Sequence, residues 1–435
     1  MSTIIELIEQ KRDGGELSTE EITWFVKAYT NDEIPDYQAA ALMMAIFIRG
    51  MSRREIVDLT LAMAESGYQL DLHDVLPFVV DKHSSGGVGD KTTLVVQPIV
   101  ASCGVPVGKM SGRGLGSSGG TLDKMESFPG WSSDLTLDRF KKQLVEVGLV
   151  LAGQTGDLAP ADGKLYALRD VTGTVASTPL IAASIMSKKL ASGADVIVLD
   201  VKMGKGAFMP TVDTARELAR IMVDIGTDAG RKTVALITDM NQPLGYAVGN
   251  ALEVKEALAT LHGDGPADFW GHCLDVAGYM LLLAQKADSL EGAKALASAA
   301  VEDGRALDKF RDLVAAQGGD PALVDAPEKL AQASLVEAVR AERGGYVAGI
   351  NARAIGWSCV RLGGGRQVKE DQIDHAVGMV IPVKVGDKVS EGDLLATIHA
   401  NDGEKLAQSR QDFLNALTWS DEPVAPLPHL YETVE

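Results

Sequence analysis

Two short stretches of this 435-residue chain gather side chains that suit one task, holding a tetrahedral anion. The first runs Asp81-Lys82-His83-Ser84-Ser85-Gly86-Gly87-Val88-Gly89-Asp90-Lys91-Thr92-Thr93. The second runs Lys109-Met110-Ser111-Gly112-Arg113-Gly114-Leu115-Gly116-Ser117-Ser118-Gly119-Gly120-Thr121-Leu122-Asp123-Lys124. Glycines let the backbone turn sharply and bring its N–H groups close to a ligand. Serine and threonine hydroxyls donate hydrogen bonds, and lysine adds a compact positive charge. Together these groups suit phosphate. One such loop makes a tight turn as readily as a site. Two, each with lysine and hydroxyls, argue for a bound anion. Gly86-Gly87-Val88-Gly89 lacks the glycine spacing of a dinucleotide loop, and neither stretch ends on the Gly-Lys-Ser/Thr of a nucleoside-triphosphate loop.

Each stretch follows an apolar run, Phe78-Val79-Val80 or Val105-Pro106-Val107, of the kind that forms a buried parallel strand. Loops after two such strands face one crevice at the strand ends. Before them, residues 1–66 read as helices. Ser18 with Glu21, and Ser52 with Glu55, make capping boxes, and Ile22, Phe25, Val26 and Tyr29 recur at helical spacing. Tyr37 to Ile48 is apolar nearly all round, which predicts burial on every side, by the same chain or by a partner subunit.

After the loops, Leu135 to Val147 reads as helix and Leu149 to Leu151 as strand. Arg169 to Ala191 is helical again and carries Arg169, Ser184, Lys188 and Lys189. Asp195–Val201 and Thr233–Ile237 are strands on either side of a helix from Thr211 to Ile225. This alternation predicts an α/β fold with a mainly parallel sheet. An Ala-rich helix is expected from Leu282 to about Leu335. From Gly344 the chain turns to short β-like segments, and Val383–Val389 with Gly392–Leu395 look like half of a lipoyl-like β-sandwich. The expected organisation is a small all-helical domain over 1–66, completed by about 160–192. A large α/β phosphate-binding domain covers 67–159 and 193–335, and a C-terminal α+β subdomain covers 344–435.

A net charge of −19 argues against nucleic acid or an anionic membrane as partner. Against that background the cations Lys82, Lys91, Lys109, Arg113 and Lys124 stand out, although Lys124 is expected to be a solvated surface lysine. Cys103, Cys273 and Cys359 are odd in number and lie in apolar settings, so they read as buried free thiols of a reducing compartment. No apolar run is long enough to span a bilayer, and the amphipathic N-terminus does not read as a signal peptide. A cytoplasmic protein is expected.

The strings Ser111-Gly112-Arg113-Gly114-Leu115-Gly116 and Gly119-Gly120-Thr121-Leu122-Asp123-Lys124-Met125-Glu126-Ser127 resemble the signature of the thymidine and pyrimidine-nucleoside phosphorylases. Asp81 to Asp90 is similar to that family's first phosphate loop. The resemblance runs from the first helices to the C-terminal sandwich. It implies a homodimer joined through the helical domain, with the active site in the cleft between the helical and α/β domains. The implied reaction is reversible phosphorolysis of uridine, thymidine or deoxyuridine to free base and α-pentose 1-phosphate. Inorganic phosphate is the co-substrate and no cofactor is expected. A strict thymidine phosphorylase is the alternative, followed by a phosphoribosyltransferase of related fold that would use a sugar diphosphate and magnesium.

The resemblance assigns phosphate to Lys82, Ser84, Thr93, Lys109, Ser111 and Thr121. It assigns the pyrimidine to Arg169, Ser184 and Lys188, with Tyr166 and Phe208 as neighbours. His83, Arg169 and Lys188 are the expected catalytic groups, and Lys189 is expected to be a plain helix-surface charge. Cleavage builds negative charge on the departing base, which cations can stabilise and a histidine can hydrogen-bond or protonate. Hinge-like linkers at Ser66-Gly67, Gly153 to Gly156 and Ser192-Gly193 suggest domain closure. Two positions depart from the family pattern. Position 117 is Ser where His is common. Lys91 stands where some members have a threonine that helps bind potassium, together with Gly89, Leu244, Ala247 and Glu256. A lysine has donors only, so Lys91 is expected to replace the ion.

Overall fold

A computed structural model describes residues 3–114, 116–153, 158–367 and 371–435. Four helices open the chain: α1 (Ile4–Arg12), α2 (Thr19–Thr30), α3 (Asp36–Arg49) and α4 (Arg53–Ala64). Thr3, Ser18 and Ser52 each cap a helix through a reciprocal box with the glutamate three residues on. Each cap contributes about 1 kcal/mol and sets where its helix starts. α3 is covered by its own chain on one side only. It buries Ala39, Leu42, Met43 and Ile46 but leaves Tyr37 at 74 % and Ile48 at 69 % exposure, with Met44 and Phe47 also exposed. Among the described residues, nothing covers the other half of this apolar helix.

The middle of the chain alternates. It runs β1 (Val80–Ser84), α5 (Thr92–Ser102), β2 (Val107–Ser111), α6 (Thr121–Met125), α7 (Leu137–Val147) and β3 (Leu149–Gly153). Two helices follow, α8 (Pro160–Thr172) and α9 (Thr178–Ala191), and they pack back onto α2, α3 and α4. Then come β4 (Val196–Met203), α10 (Val212–Asp228) and β5 (Lys232–Asp239). Among the described residues the main sheet has the order β3-β2-β1-β4-β5, all parallel, with one further strand beyond β5. β4 is buried along its whole length, as expected where helices cover both faces of a sheet, and its two charged residues, Asp200 and Lys202, are buried with it.

The remainder comprises β6 (Ala247–Val248), α11 (Asn250–Leu261), α12 (Ala267–Leu283), α13 (Leu290–Glu302), α14 (Arg305–Ala316) and α15 (Ala322–Asp325). Then follow β7 (Leu335–Arg340), β8 (Gly345–Ile350), α16 (Ala352–Cys359), β9 (Gly378–Val380), β10 (Lys388–Val389) and β11 (Leu394–Ala400). α17 (Gly403–Ala416), β12 (Leu417–Ser420) and β13 (Leu430–Val434) end the chain. The expected Ala-rich helix is instead α13, α14 and α15, broken where Gly304 turns left-handed at φ +82° and where Pro321 precedes α15. The C-terminal strands form two small sheets, β10-β8-β12 and β6-β9-β11-β7. β6 comes from the α/β region and β13 returns to pair antiparallel with β5. The C-terminal part is therefore stitched into the α/β domain at both ends.

Of the three linkers, Gln154, Thr155 and Gly156 lie outside the described residues, as does Leu115. Ser66 is tied to α8, its hydroxyl accepting from the Ala161 N–H at 3.1 Å. Gly193 has φ +80°, and a Cβ there would stand 2.1 Å from the Leu70 carbonyl oxygen, so this crossing of two linkers requires glycine. Cys273 and Cys359 are buried, but Cys103 is only half-buried, contrary to expectation. Among the described residues no helix is long and apolar enough to cross a membrane.

Candidate active site

Strand alternation sorts the first motif. On β1, Asp81 and His83 project to one side of the sheet, Lys82 and Ser84 to the other. Lys82 is fully buried, with its Nζ 3.5 Å from Asp200 and 4.0 Å from Asp90. Asp200 is shared with Lys202 at 2.9 Å and His272 at 3.1 Å. Among the described residues the Lys82 ammonium makes no hydrogen bond. A buried ammonium with three unused donors is costly unless an acceptor reaches it. The Ser84 hydroxyl donates to Asp90, and the Gly86 N–H donates to Ser84 Oγ at 3.2 Å.

Lys109, on β2, lies 3.6 Å from Asp81 and donates to the Lys82 carbonyl. Ser111 ends β2, Thr93 lies in the first turn of α5, and Thr121 opens α6. The six groups assigned to phosphate thus come from the carboxyl ends of β1 and β2 and the first turns of the two helices that follow. The sequence missed their partners, the carboxylates Asp81, Asp90 and Asp200. An aspartate at each end of the first motif was a visible signal. Asp200 carried none beyond lying in a strand.

A cavity of about 480 Å³ opens beside this cradle, lined by His83, Ser84, Arg113, Tyr166, Arg169, Ser184, Lys188 and Phe208. Its volume falls in the range of small-molecule sites. Tyr166 and Phe208 present exposed rings to it, and Ile181, Ile185 and Met209 add apolar wall that no sequence signal singled out. The Arg169-to-Ala191 stretch is two helices, not one, because Gly173 ends α8 in a left-handed turn and Pro179 restarts α9. Arg169 is buried and donates to the carbonyls of Thr174, Leu180 and Val175 at 3.4, 3.0 and 2.8 Å. It holds the α8–α9 turn as well as facing the cavity. Lys188 donates to Asp162 and, at 3.1 Å, to Ser184 Oγ.

The charges here act on one another. Burial, then the positive charges of Lys189, Lys109, Lys188 and Lys82, hold the His83 imidazole well below its ordinary pKa. It is therefore neutral at neutral pH and can donate only through a ring N–H. Burial also lowers the Lys109 ammonium, to about 7, against the opposing pull of Asp81.

Two expectations about lysines are corrected. Lys189 is not a surface charge: at 2 % exposure it pairs with Asp81 at 2.6 Å. Lys124 is buried too, 3.1 Å from Glu253, and donates to the carbonyls of Asp90 and Gly119 at 2.9 and 3.3 Å. It links the two loops. Lys91 is fully buried, with its Nζ 2.6 Å from Glu256 and donating to the carbonyls of Leu244 and Ala247 at 2.8 and 3.0 Å. The ammonium thus meets three oxygens of that set, from Glu256, Leu244 and Ala247.

Comparison with known proteins agrees with this architecture. The helical bundle domain of a glycosyl transferase family matches residues 5–67, and the a/b domain of that family matches residues 76–307. The pyrimidine nucleoside phosphorylase C-terminal domain matches residues 346–420. Anthranilate phosphoribosyltransferase from Thermus thermophilus has the same fold, with a TM-score of 0.60 and 21 % identity over 72 % of this chain and 99 % of that one. Fold and cleft together define a glycosyl transferase built from a helical bundle and an α/β domain. The pyrimidine-nucleoside phosphorylase of Geobacillus stearothermophilus is 52 % identical over 431 residues, 99 % of both chains. That of Bacillus subtilis is 54 % identical over 398 residues, 92 % of each. The chain belongs to the pyrimidine-nucleoside phosphorylase family.

Proposed function

We propose that this enzyme catalyses the reversible phosphorolysis of uridine, thymidine and deoxyuridine, giving free base and α-pentose 1-phosphate. One observation carries the reading. The Lys82 ammonium is buried without a hydrogen bond among the described residues, and its chain neighbours His83 and Ser84 line a nucleoside-sized cavity with Arg169, Ser184 and Lys188. Phosphate held by Lys82, Lys109 and the hydroxyls of Ser84, Thr93, Ser111 and Thr121 is aligned with C1′ before reaction, which removes much of the entropic barrier. A phosphate oxygen bonds to C1′ as the C1′–N1 bond breaks. The bonding pair leaves on the base, whose carbonyl oxygens take up the charge beside Lys188 and Arg169. A proton then restores the neutral base.

With the cradle empty, His83 is a neutral hydrogen-bond donor to the base. A bound phosphate dianion offsets the lysine charges and raises the imidazole towards protonation, so proton delivery is favoured only when both substrates are present. Inorganic phosphate is the only co-substrate this chemistry needs. Release of uracil from uridine, measured with and without phosphate, tests the reading. Thymidine and deoxyuridine run in parallel separate broad from strict specificity. Release that needs no phosphate, or sugar transfer only from a sugar diphosphate with magnesium, would overturn it.

In this reading Lys91 takes the place of a monovalent cation, tying the first phosphate loop to residues 244–256 through Glu256. Activity is expected to be unchanged when potassium is exchanged for a bulky organic cation. Lys91→Thr is expected to lose activity and regain it with potassium. A wild-type requirement for potassium would defeat the assignment.

The exposed side of α3, with Tyr37, Phe47 and Ile48, supports a homodimer through the helical domain, since an apolar patch of this kind is unusual on a free monomer. Closing the cleft over both substrates would complete the site and exclude water. Solution scattering is expected to give the mass of two chains and a smaller radius of gyration with phosphate and uracil. A single-chain mass, or unchanged profiles, would remove the corresponding idea.

A further inference from the structure

Lys188 and Lys189 are adjacent on α9 but face different surroundings. Lys188 lines the cavity, whereas Lys189 passes beneath it into the sheet. Its Nζ lies 2.6 Å from Asp81 Oδ2 and donates to the Met110 carbonyl at 3.2 Å. The other oxygen of Asp81 accepts the Lys82 N–H at 2.6 Å and stands 3.6 Å from Lys109 Nζ. One fully buried carboxylate on β1 is thus shared by an ammonium from the base-side helix and an ammonium from the phosphate cradle. Burying such charges costs several kcal/mol per ion, and apolar side chains of similar volume often stabilise a fold as well or better. The arrangement therefore gains little as a staple. It does fix geometry across the two halves of the site.

We propose that Lys189 is a positioning residue: through Asp81 it holds the Lys109 ammonium in the phosphate cradle and couples α9 to β1 and β2, so that filling one half-site favours filling the other. This rests on the phosphorolysis reading for the identity of the two ligands. The charged groups around Lys109 are Asp81 and Lys82 from β1 and Lys189 from α9, with His83 and Lys188 facing the same cleft. Asp81 favours the charged ammonium, while Lys189 and Lys82 oppose it. Removing Lys189 takes away one repulsive charge and leaves Lys109 as the ammonium nearest Asp81. Both changes keep Lys109 protonated to higher pH.

The test is calorimetric binding of inorganic phosphate and of uracil, each alone and together, between about pH 6 and 9, where phosphate and Lys109 both titrate. The titration of phosphate itself is common to all variants, so differences between them report the protein. In Lys189→Met the alkaline fall in phosphate affinity is expected to move up by about one pH unit, from the loss of one nearby charge. The strengthening of uracil binding by phosphate is expected to fall about tenfold, and Lys189→Arg is expected to restore both. If Lys189→Met does not fold, the charge-balanced pair Asp81→Asn with Lys189→Met is used. There the alkaline fall should move down, because Asp81 has the larger effect on Lys109, and the coupling should again be lost. An unchanged alkaline limb with unchanged coupling, or lowered stability as the only effect, would overturn the proposal. Failure of wild-type turnover would instead defeat the phosphorolysis reading, and the binding data would still decide the role of Lys189.

Discussion

Lys188→Ala is expected to lower kcat by about 10²- to 10³-fold and to weaken nucleoside affinity as well, the size of effect seen when one preorganised charge-stabilising donor is lost. The departing base is nearly neutral before reaction and carries close to a full negative charge at the transition state. A cation beside its carbonyl oxygens therefore gains most as the bond breaks. Lys188 is held for this by Asp162 and by Ser184 Oγ at 3.1 Å, so it needs little reorganisation. Its removal leaves the Asp162 carboxylate nearly buried without its ammonium partner. The paired variant Lys188→Ala with Asp162→Asn separates that structural cost from the catalytic one. Steady-state kinetics on uridine with saturating phosphate gives the answer. An unchanged kcat with only a raised KM would mean that Lys188 binds base and transition state equally.

Gly120→Ala is expected to raise the KM for phosphate about 10²-fold while the nucleoside KM changes only a few-fold. A displaced binding group can cost that much when position is what the site supplies. Gly120 has φ −86° and ψ 143°, which any residue can adopt. Crowding decides the matter. A Cβ there would stand 2.0 Å from Gly114 N, 2.5 Å from Asp123 Oδ2 and 2.7 Å from the Arg113 carbonyl carbon. Asp123 is the brace of this loop, accepting the Gly114 N–H at 2.7 Å and contacting Arg366 at 2.8 Å and Arg113 at 3.3 Å. The methyl group must push these atoms apart, carrying Thr121 with them, at a stability cost of about 1–3 kcal/mol. Gly112→Ala is the comparison, because nothing among the described residues lies within 4 Å of its added Cβ. Equal losses in the two variants would rule out crowding as the cause.

Much of the architecture is legible in the sequence itself. The Ser18 and Ser52 boxes start α2 and α4 where the pattern put them, since a cap is a contact between residues three apart. The alternation of apolar runs and helical repeats gave the parallel sheet, because each repeat is a property of its own short segment. The glycines, hydroxyls and lysines at 81–93 and 109–124 announced an anion site by type and spacing alone.

Other features were decided only in three dimensions. Lys189 and Lys124 read as surface charges because their helices have no local feature that marks a buried cation. Each is buried only because a carboxylate far along the chain, Asp81 or Glu253, meets it there. β13 joins the main sheet through a register with β5 that no periodicity within residues 430–434 encodes. α3 is apolar on all sides, and its composition does not say which side the same chain covers. Side-chain periodicity specifies which residues share a face of a local element. What lies against that face depends on packing between elements distant in sequence, and there the pairing and protonation of buried charges are set.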